Sequence, residues 1–203
     1  MKEYPTISTK IVDQPIYAFD KLDGSNIRAE WTKKQGFYKF GKRHGLVDET
    51  NLLLGDAKSL IQETYSELLA KIFVEQRWQN VTCFFEYVGQ NSFAGKHEAE
   101  PHEVVLFDVT AEKKGILEPQ NFLKLFSTKV KITSFLYHGN PNSTFVESVR
   151  SGELEGMSFE GVVCKGKCIS PGRPLMFKIK NRAWIEKIKM KYVDQPEMIE
   201  ELM

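Results

Sequence analysis

Apolar and polar positions alternate over several short stretches of this chain. Ile16 to Phe19 and Asn26 to Trp31 read as strands flanking a turn at Asp23-Gly24. Phe37 to Phe40 reads as a third strand, reached through a hairpin turn at Lys33-Lys34-Gln35-Gly36. Leu60, Ile61, Tyr65, Leu68, Leu69 and Ile72 recur at helical spacing, which predicts an amphipathic helix over about residues 56–77, opened by Asp56 or Gly55. Val81 to Val88 and Glu103 to Val109 are rich in β-branched and aromatic residues, as buried strands are. Short helices are expected near Pro119 to Leu125 and from an N-cap at Ser143 to Arg150. Strands follow at Glu160 to Lys165 and Leu175 to Ile179, then a last helix from Arg182 to Tyr192. The acidic tail, Pro196 to Met203, reads as frayed or loosely helical.

Strands outnumber helices here and do not alternate with them. That pattern predicts the α+β class with mostly antiparallel sheets flanked by helices, not a doubly wound parallel sheet. No repeat or linker divides the 203 residues, so one domain over residues 1–203 is expected. With 41% hydrophobic and 27% charged residues, the composition is that of an ordinary globular protein. The longest apolar runs, such as Leu52-Leu53-Leu54 and Val104 to Phe107, are too short to span a bilayer. Met1 to Pro5 has no apolar signal core, and a cytoplasmic location away from membranes is the expectation. Cys83, Cys164 and Cys168 do not make a disulfide framework, and the last two lack the spacing of a common zinc site. The 28 basic and 27 acidic residues leave a net charge of +1. A nucleic-acid partner gripped by overall charge is thereby excluded, and only a local concentration of basic groups would serve.

Five segments place polar groups where the pattern predicts buried strands or tight turns. Phe19-Asp20-Lys21-Leu22-Asp23-Gly24-Ser25-Asn26 sets a lysine at a strand end before a turn; alone, it would more often be a solvated lysine beside a β-turn. Gly41-Lys42-Arg43-His44-Gly45 puts a guanidinium on a loop after the third strand. Glu86 lies within the apolar Phe84 to Gly89, and Glu160 begins Glu160-Gly161-Val162-Val163-Cys164-Lys165. Phe177-Lys178-Ile179-Lys180-Asn181 turns two lysines to one face of a strand. Charges in buried strands are costly unless paired or bound to a ligand, so several such strands imply a polar site between sheets.

Taken in order, these segments resemble motifs I, Ia, III, IV and V of the covalent nucleotidyltransferases, which comprise RNA ligases, DNA ligases and mRNA capping enzymes. The resemblance covers about residues 19–182. Asn26, where DNA ligases and capping enzymes usually carry arginine, and Asn181 after Lys180 look more like the RNA ligase branches. The resemblance implies a nucleotidyltransferase fold, ATP-grasp-like; the 23 residues after Lys180 depart from it, and a stand-alone catalytic domain without the OB-fold of DNA ligases and capping enzymes is expected. The resemblance also implies an ATP-dependent RNA ligase that joins 5′-phosphate to 3′-hydroxyl ends, with ATP and a divalent metal, magnesium or manganese; the low net charge adds the expectation that the ends are nicked or duplex-held. A compact DNA-nick ligase, an inactive nucleotide-binding homologue and a capping guanylyltransferase are the alternatives; protein partners are left unspecified.

By the same resemblance, Lys21 forms the lysyl-AMP adduct, and Lys178 and Lys180 bind the α-phosphate and help expel pyrophosphate. Glu160 binds metal. Asp23 holds metal-bound water or organises the turn, and Glu86 binds the ribose or sits near the metal, directly or through water. Arg43 contacts ribose or substrate phosphate, Asn26 the ribose or the incoming RNA end. Phe107 stacks on adenine, with a plain core role as the alternative, and the Asp20 backbone reads the base. Arg182, Lys187, Lys189 and Lys191, on the last helix, line the path of the nucleic acid, or are the solvated side of a helix anchored by Trp184, Ile185 and Ile188. Neighbouring cations and a bound metal are expected to lower the pKa of Lys21 and free its amine for attack.

Overall fold

The computed structural model describes residues 3–43, 45–47, 56–90, 92–95, 97 and 99–203. Three sequence features lie outside the described residues: His44 of the Arg43 loop, the run Leu52-Leu53-Leu54, and Gly55 as a helix start.

In chain order, β1 (Ile16–Lys21), β2 (Ser25–Thr32) and β3 (Gly36–Lys42) precede the long helix α1 (Ala57–Glu75). Then come β4 (Asn80–Val88), β5 (Glu103–Ala111), the two-residue β6 (Gly115–Ile116), α2 (Pro119–Phe126) and β7 (Phe135–Gly139). The last part holds α3 (Ser143–Ser151), β8 (Gly161–Ser170), β9 (Arg173–Lys180), α4 (Arg182–Lys191) and α5 (Pro196–Leu202). The fold is α+β: two antiparallel sheets, ordered β7-β1-β8-β9 and β3-β2-β4-β5-β6, with five helices among the described residues. No helix among them is long and apolar enough to cross a membrane.

Strand alternation divides the work of each sheet. In the five-stranded sheet, Ile27, Ala29 and Trp31 of β2 and Cys83 and Phe85 of β4 join the main core with α1. Trp31 meets Phe73 edge-on at 5.0 Å, and Phe85 meets Tyr65 at the same distance. The Tyr65 hydroxyl donates to the carbonyls of Val104 and Lys131, so even this deeply buried ring leaves no polar atom stranded. In the four-stranded sheet, Ile16, Ala18, Val162, Cys164, Phe177 and Ile179 pack on Phe145 and Val149 of α3. Intervening residues of both sheets, among them Lys21, Lys165 and Lys178 of one and Asn26, Glu86 and Phe107 of the other, line a shared cleft.

Several boundaries differ from the sequence pattern. Asp56 does open α1, but its carboxylate makes no cap; it takes hydrogen bonds from Tyr87 and His102 instead. The N-cap of α3 is Asn142, whose side chain accepts from the Phe145 N–H at 2.9 Å, and Ser143 is the first helical residue. Of the two states expected for the acidic tail it takes the helical one: Pro196 starts α5, and Ile199, Leu202 and Met203 pack beside Trp184 and Ile188 of α4. The pattern misses β6, which has only two residues, and β7, an edge strand too exposed to alternate clearly.

Candidate active site

Lys21 ends β1 on the cleft side, in step with Tyr17 and Phe19. Register then brings three strands together at one point: Gly161 lies opposite Lys21 on one side and opposite Lys180 on the other. Gly161 has φ +139°, and a Cβ there would stand 2.1 Å from the Ile179 carbonyl oxygen, so this crossing needs glycine. Glu160, just before it, is buried, and its Oε1 lies 2.9 Å from both Lys21 Nζ and Lys180 Nζ.

Two cations thus share one carboxylate oxygen, and their charges respond in opposite ways. Burial works against the Lys21 ammonium, but Glu160, Glu86 and Asp23 together outweigh it and raise the pKa of Lys21. The expected lowering of this pKa is corrected accordingly: carboxylates surround the Lys21 amine more closely than cations do. Lys180 moves the other way, pushed down to about 8 by burial and Lys21 despite Glu160. Lys178, two residues earlier on the same face, is also lowered, by burial and then by Lys21.

The five-stranded sheet supplies the opposite wall. Asn26 and Glu86 are partners across β2 and β4, and both line a cavity of about 520 Å³ with Lys21, Glu160, Lys178, Arg43 and Phe107. Asn26 Oδ1 is buried there without a hydrogen-bond partner. Desolvation in the cleft, together with Glu160 and Asp23, raises the Glu86 pKa to about 8, although Lys21 and the Gly24 N–H oppose this. Gly24 lets the turn lie against β4, where a Cβ would come within 2.3 Å of the Tyr87 carbonyl oxygen.

Asp23 and Lys180 sit behind the cavity wall, while Asp20, Trp184 and Arg43 line it. Asp23 is buried; its Oδ2 accepts from the Ala94 N–H at 2.7 Å, while Oδ1 has no partner. The Trp184 indole N–H is also unpartnered, and it helps stabilise the Asp23 charge without making a full hydrogen bond. Lys180 is buried against Trp184, its Nζ 3.8 Å from the ring centroid, and also donates to the Leu202 carbonyl. The Asp20 carboxylate accepts from the N–H and hydroxyl of Ser158, and its backbone N–H donates to Ser134. That N–H is therefore engaged within the fold. Arg43, half exposed at the rim, lies 3.8 Å from Glu201.

The oxygen-rich wall suits a hard divalent cation in one respect: Asp23 Oδ1 is a buried acceptor with no donor. Among the described residues, however, no three His, Cys, Asp or Glu side chains converge as a ligand cage. Glu160, Asp23 and Glu86 therefore fit a hydrated ion held partly by substrate phosphates, the usual habit of magnesium, better than a dry protein site.

The basic helix behaves differently from the cleft. Arg182 forms a bidentate pair with Glu147 at 2.5 and 2.8 Å. Lys191 donates to the Ser92 carbonyl at 3.4 Å, Lys187 lies 6.0 Å from the Phe159 ring, and Lys189 is exposed. None of the four lines the cavity.

Sequence reading missed several residues of the site. Arg28 is buried and donates to the Lys42 and Gly45 carbonyls, which fixes the base of the Arg43 loop. Lys165 bridges the sheets through Asp108 and the Phe107 carbonyl, each at 2.8 Å. Tyr4 brings the N-terminal segment into the cavity, edge-on to Phe107 at 5.1 Å with its hydroxyl on Asp108. Arg28 and Lys165 were visible as charges in apolar strands; nothing local marked Tyr4.

Solved structures of Naegleria gruberi RNA ligase share this fold. A lysine variant with ATP and Mn matches at 17% identity and a TM-score of 0.63, over 87% of this chain and 52% of that one. The same ligase with PPi matches at 16% and 0.66, over 94% and 58%. An arginine variant with ATP and Mn matches at 16% and 0.68, over 93% and 58%. At such identity the likeness is one of fold, and the chain spans little more than half the length of these relatives. No curated protein sequence matches the chain. The family model described as RNA ligase matches residues 14–180, from just before β1 to the end of β9, and the chain belongs to the RNA ligase family.

Proposed function

We propose that this chain is an ATP-dependent RNA ligase that works through a lysyl-AMP intermediate. The observation that carries the reading is the Lys21–Glu160–Lys180 cluster, a partly buried amine held on one carboxylate oxygen in a cleft that is lined by further cations and open to solvent. The Lys21 amine attacks the α-phosphorus of ATP, the bond to the β-phosphate oxygen breaks, and pyrophosphate leaves. AMP then passes to a 5′-phosphate, and a 3′-hydroxyl displaces it to close the strand.

The residues fit these steps by charge and position. Lys178 and Lys180 stabilise negative charge developing on the phosphoryl oxygens, where fixed dipoles and charges act without reorganising. Asn26 Oδ1, buried without a partner, has an obvious donor in a ribose hydroxyl, with Glu86 beside it. Phe107 offers a ring for the base, and Arg43 at the rim suits a phosphate. A divalent cation, when bound, neutralises the triphosphate and draws on the carboxylate charge that keeps Lys21 protonated.

The test is incubation with α-labelled ATP or GTP and magnesium or manganese, followed by denaturing electrophoresis. ATP should label the chain through an acid-labile, alkali-stable P–N bond, and GTP should not. Sealing of a nicked duplex with RNA or DNA at the nick then separates an RNA ligase from a DNA-nick ligase. Absence of any label from ATP would overturn the reading.

A further inference from the structure

The sequence Lys180-Asn181-Arg182-Ala183-Trp184 forms a short rigid connection between the site and α4. The Asn181 N–H donates to the Glu160 carbonyl at 2.9 Å, so the strand end is tied to the residue that holds both lysines. The Asn181 side chain then caps α4 by accepting from the Ala183 N–H at 2.8 Å. Capping fixes where the first turn begins, and so where the third helical residue, Trp184, points.

Trp184 is fully buried, and its two functional surfaces meet two different site residues. Its ring face lies 3.8 Å from Lys180 Nζ, a close cation–π distance. Its indole N–H, without a hydrogen-bond partner, turns toward Asp23, whose Oδ1 is likewise unpartnered. A core tryptophan usually finds a partner for its N–H, and leaving one stranded is costly. Such an N–H beside a stranded carboxylate oxygen is what a site looks like when its bond tightens only as ligand binds.

We propose that Trp184 is a positioning residue for nucleotidyl transfer, holding the Lys180 ammonium against Glu160 with its ring and presenting its N–H to Asp23. The role rests on the adenylyltransferase reading above and deepens it. Trp184 touches no reacting atom. It keeps a flexible four-carbon side chain aimed at the point where the phosphate must lie, so its contribution belongs in the rate of the chemical step and not in ATP binding.

The experiment compares Trp184→Leu and Trp184→Met, which lack a ring, with Trp184→Phe, which keeps one. Each is made in the wild-type chain and in Lys180→Ala. Single-turnover self-adenylylation is measured across ATP concentrations with magnesium, and rates are corrected for the folded fraction found by thermal unfolding. If Leu does not fold, Met, closer to the indole in length and softness, carries the test. The ringless variants should react about 2- to 30-fold more slowly at saturating ATP, the range expected for a buried cation–π contact. Half-saturating ATP should be unchanged, and Phe should recover most of the rate. In the Lys180→Ala chain the same changes should cost almost nothing more, because the group they position is gone. Equal losses in Phe and Met would show that the ring does not hold Lys180, and losses that multiply in the Lys180→Ala chain would show Trp184 to act independently of it; either outcome overturns the proposal. A wild-type chain that forms no adduct would overturn the adenylyltransferase reading and this role with it.

Discussion

The two faces of the five-stranded sheet are built from alternate residues of the same strands, yet they obey different rules. On the face toward α1, Ile27, Ala29, Trp31, Cys83 and Phe85 are almost wholly buried among apolar and aromatic neighbours. On the cleft face the intervening residues are Asn26, Arg28, Phe84 and Glu86, several of them charged or polar. Phe85 and Glu86 are one peptide bond apart: one contributes by leaving water, the other stands where leaving water is costly. The core face is satisfied without a ligand, and the cleft face is not. Asn26 Oδ1 and Asp23 Oδ1 have no donors, Glu86 is pushed toward neutrality, and one Glu160 oxygen serves two lysines. A protein tolerates such arrangements where a ligand completes them.

If that division holds, substitutions sort by face. The largest effect should come from Lys21→Ala, which should eliminate the labelled adduct altogether while thermal unfolding stays close to wild type. A labelled band surviving in that variant would place the nucleophile elsewhere. Next, Glu160→Ala and Lys180→Ala should each slow adenylylation by about 10²–10³, the usual scale for losing one charge-stabilising group. Wild-type single-turnover rates in either would remove it from the site.

On the other face of the same strand, Phe85→Ala should lower the unfolding free energy by about 3–5 kcal/mol. The adenylylation rate per folded molecule should be nearly unchanged. Denaturant unfolding alongside the rate assay checks this, and a large fall in the corrected rate would mean that the faces are coupled.

A smaller effect should appear in the pH dependence of stability. The Glu86 pKa is raised to about 8 in the folded chain, so the folded state holds a proton there that the unfolded state has lost. From roughly pH 4.5, the ordinary carboxyl range, up to about 8, this group makes stability fall as pH rises. Lys180, lowered to about 8, has the opposite effect above that pH, since the unfolded chain then binds more protons. Glu86→Gln, measured in chelator, should flatten the lower limb and raise stability near pH 8 by on the order of 2 kcal/mol. An unaltered slope would mean that the Glu86 carboxylate is solvated in the free protein.

The smallest effect on adenylylation should come from changing Lys187, Lys189 and Lys191 to alanine. These groups stand apart from the cavity, so self-adenylylation should stay within about twofold. Sealing should weaken and lose part of its salt dependence, in proportion to the phosphate contacts removed. Nicked duplex against single-stranded RNA, at low and moderate salt, is the comparison. Equal sealing of both, indifferent to the triple change, would put the RNA grip elsewhere.

Much of this molecule was legible in its sequence because the strands announce themselves locally. Alternation located β1 to β3 and residue type β4 and β5 within a few residues, helical spacing located α1, and polar residues inside apolar strands pointed to Lys21, Glu86, Glu160, Lys178 and Lys180. Such charges are conspicuous because they are expensive unless used. The choice of Ser143 over Asn142 as a cap failed for a local reason: both are good caps, and only backbone geometry selects between them.

What the sequence determined alone, then, was the set of elements and the identity of the costly residues, since period and burial preference are properties of each segment. What only the tertiary structure decided was who stands beside whom. Register across three strands gave one Glu160 oxygen to two lysines and reversed the expected pKa shift of Lys21, because Coulomb energy depends on distances that no segment contains. The same holds for Tyr4 beside Phe107, Arg28 beneath the Arg43 loop, and Trp184 between Lys180 and Asp23. Tyr4 and Trp184 are ordinary residues in their own stretches and Arg28 is no more than a charge in a strand; packing alone sets each against its partners.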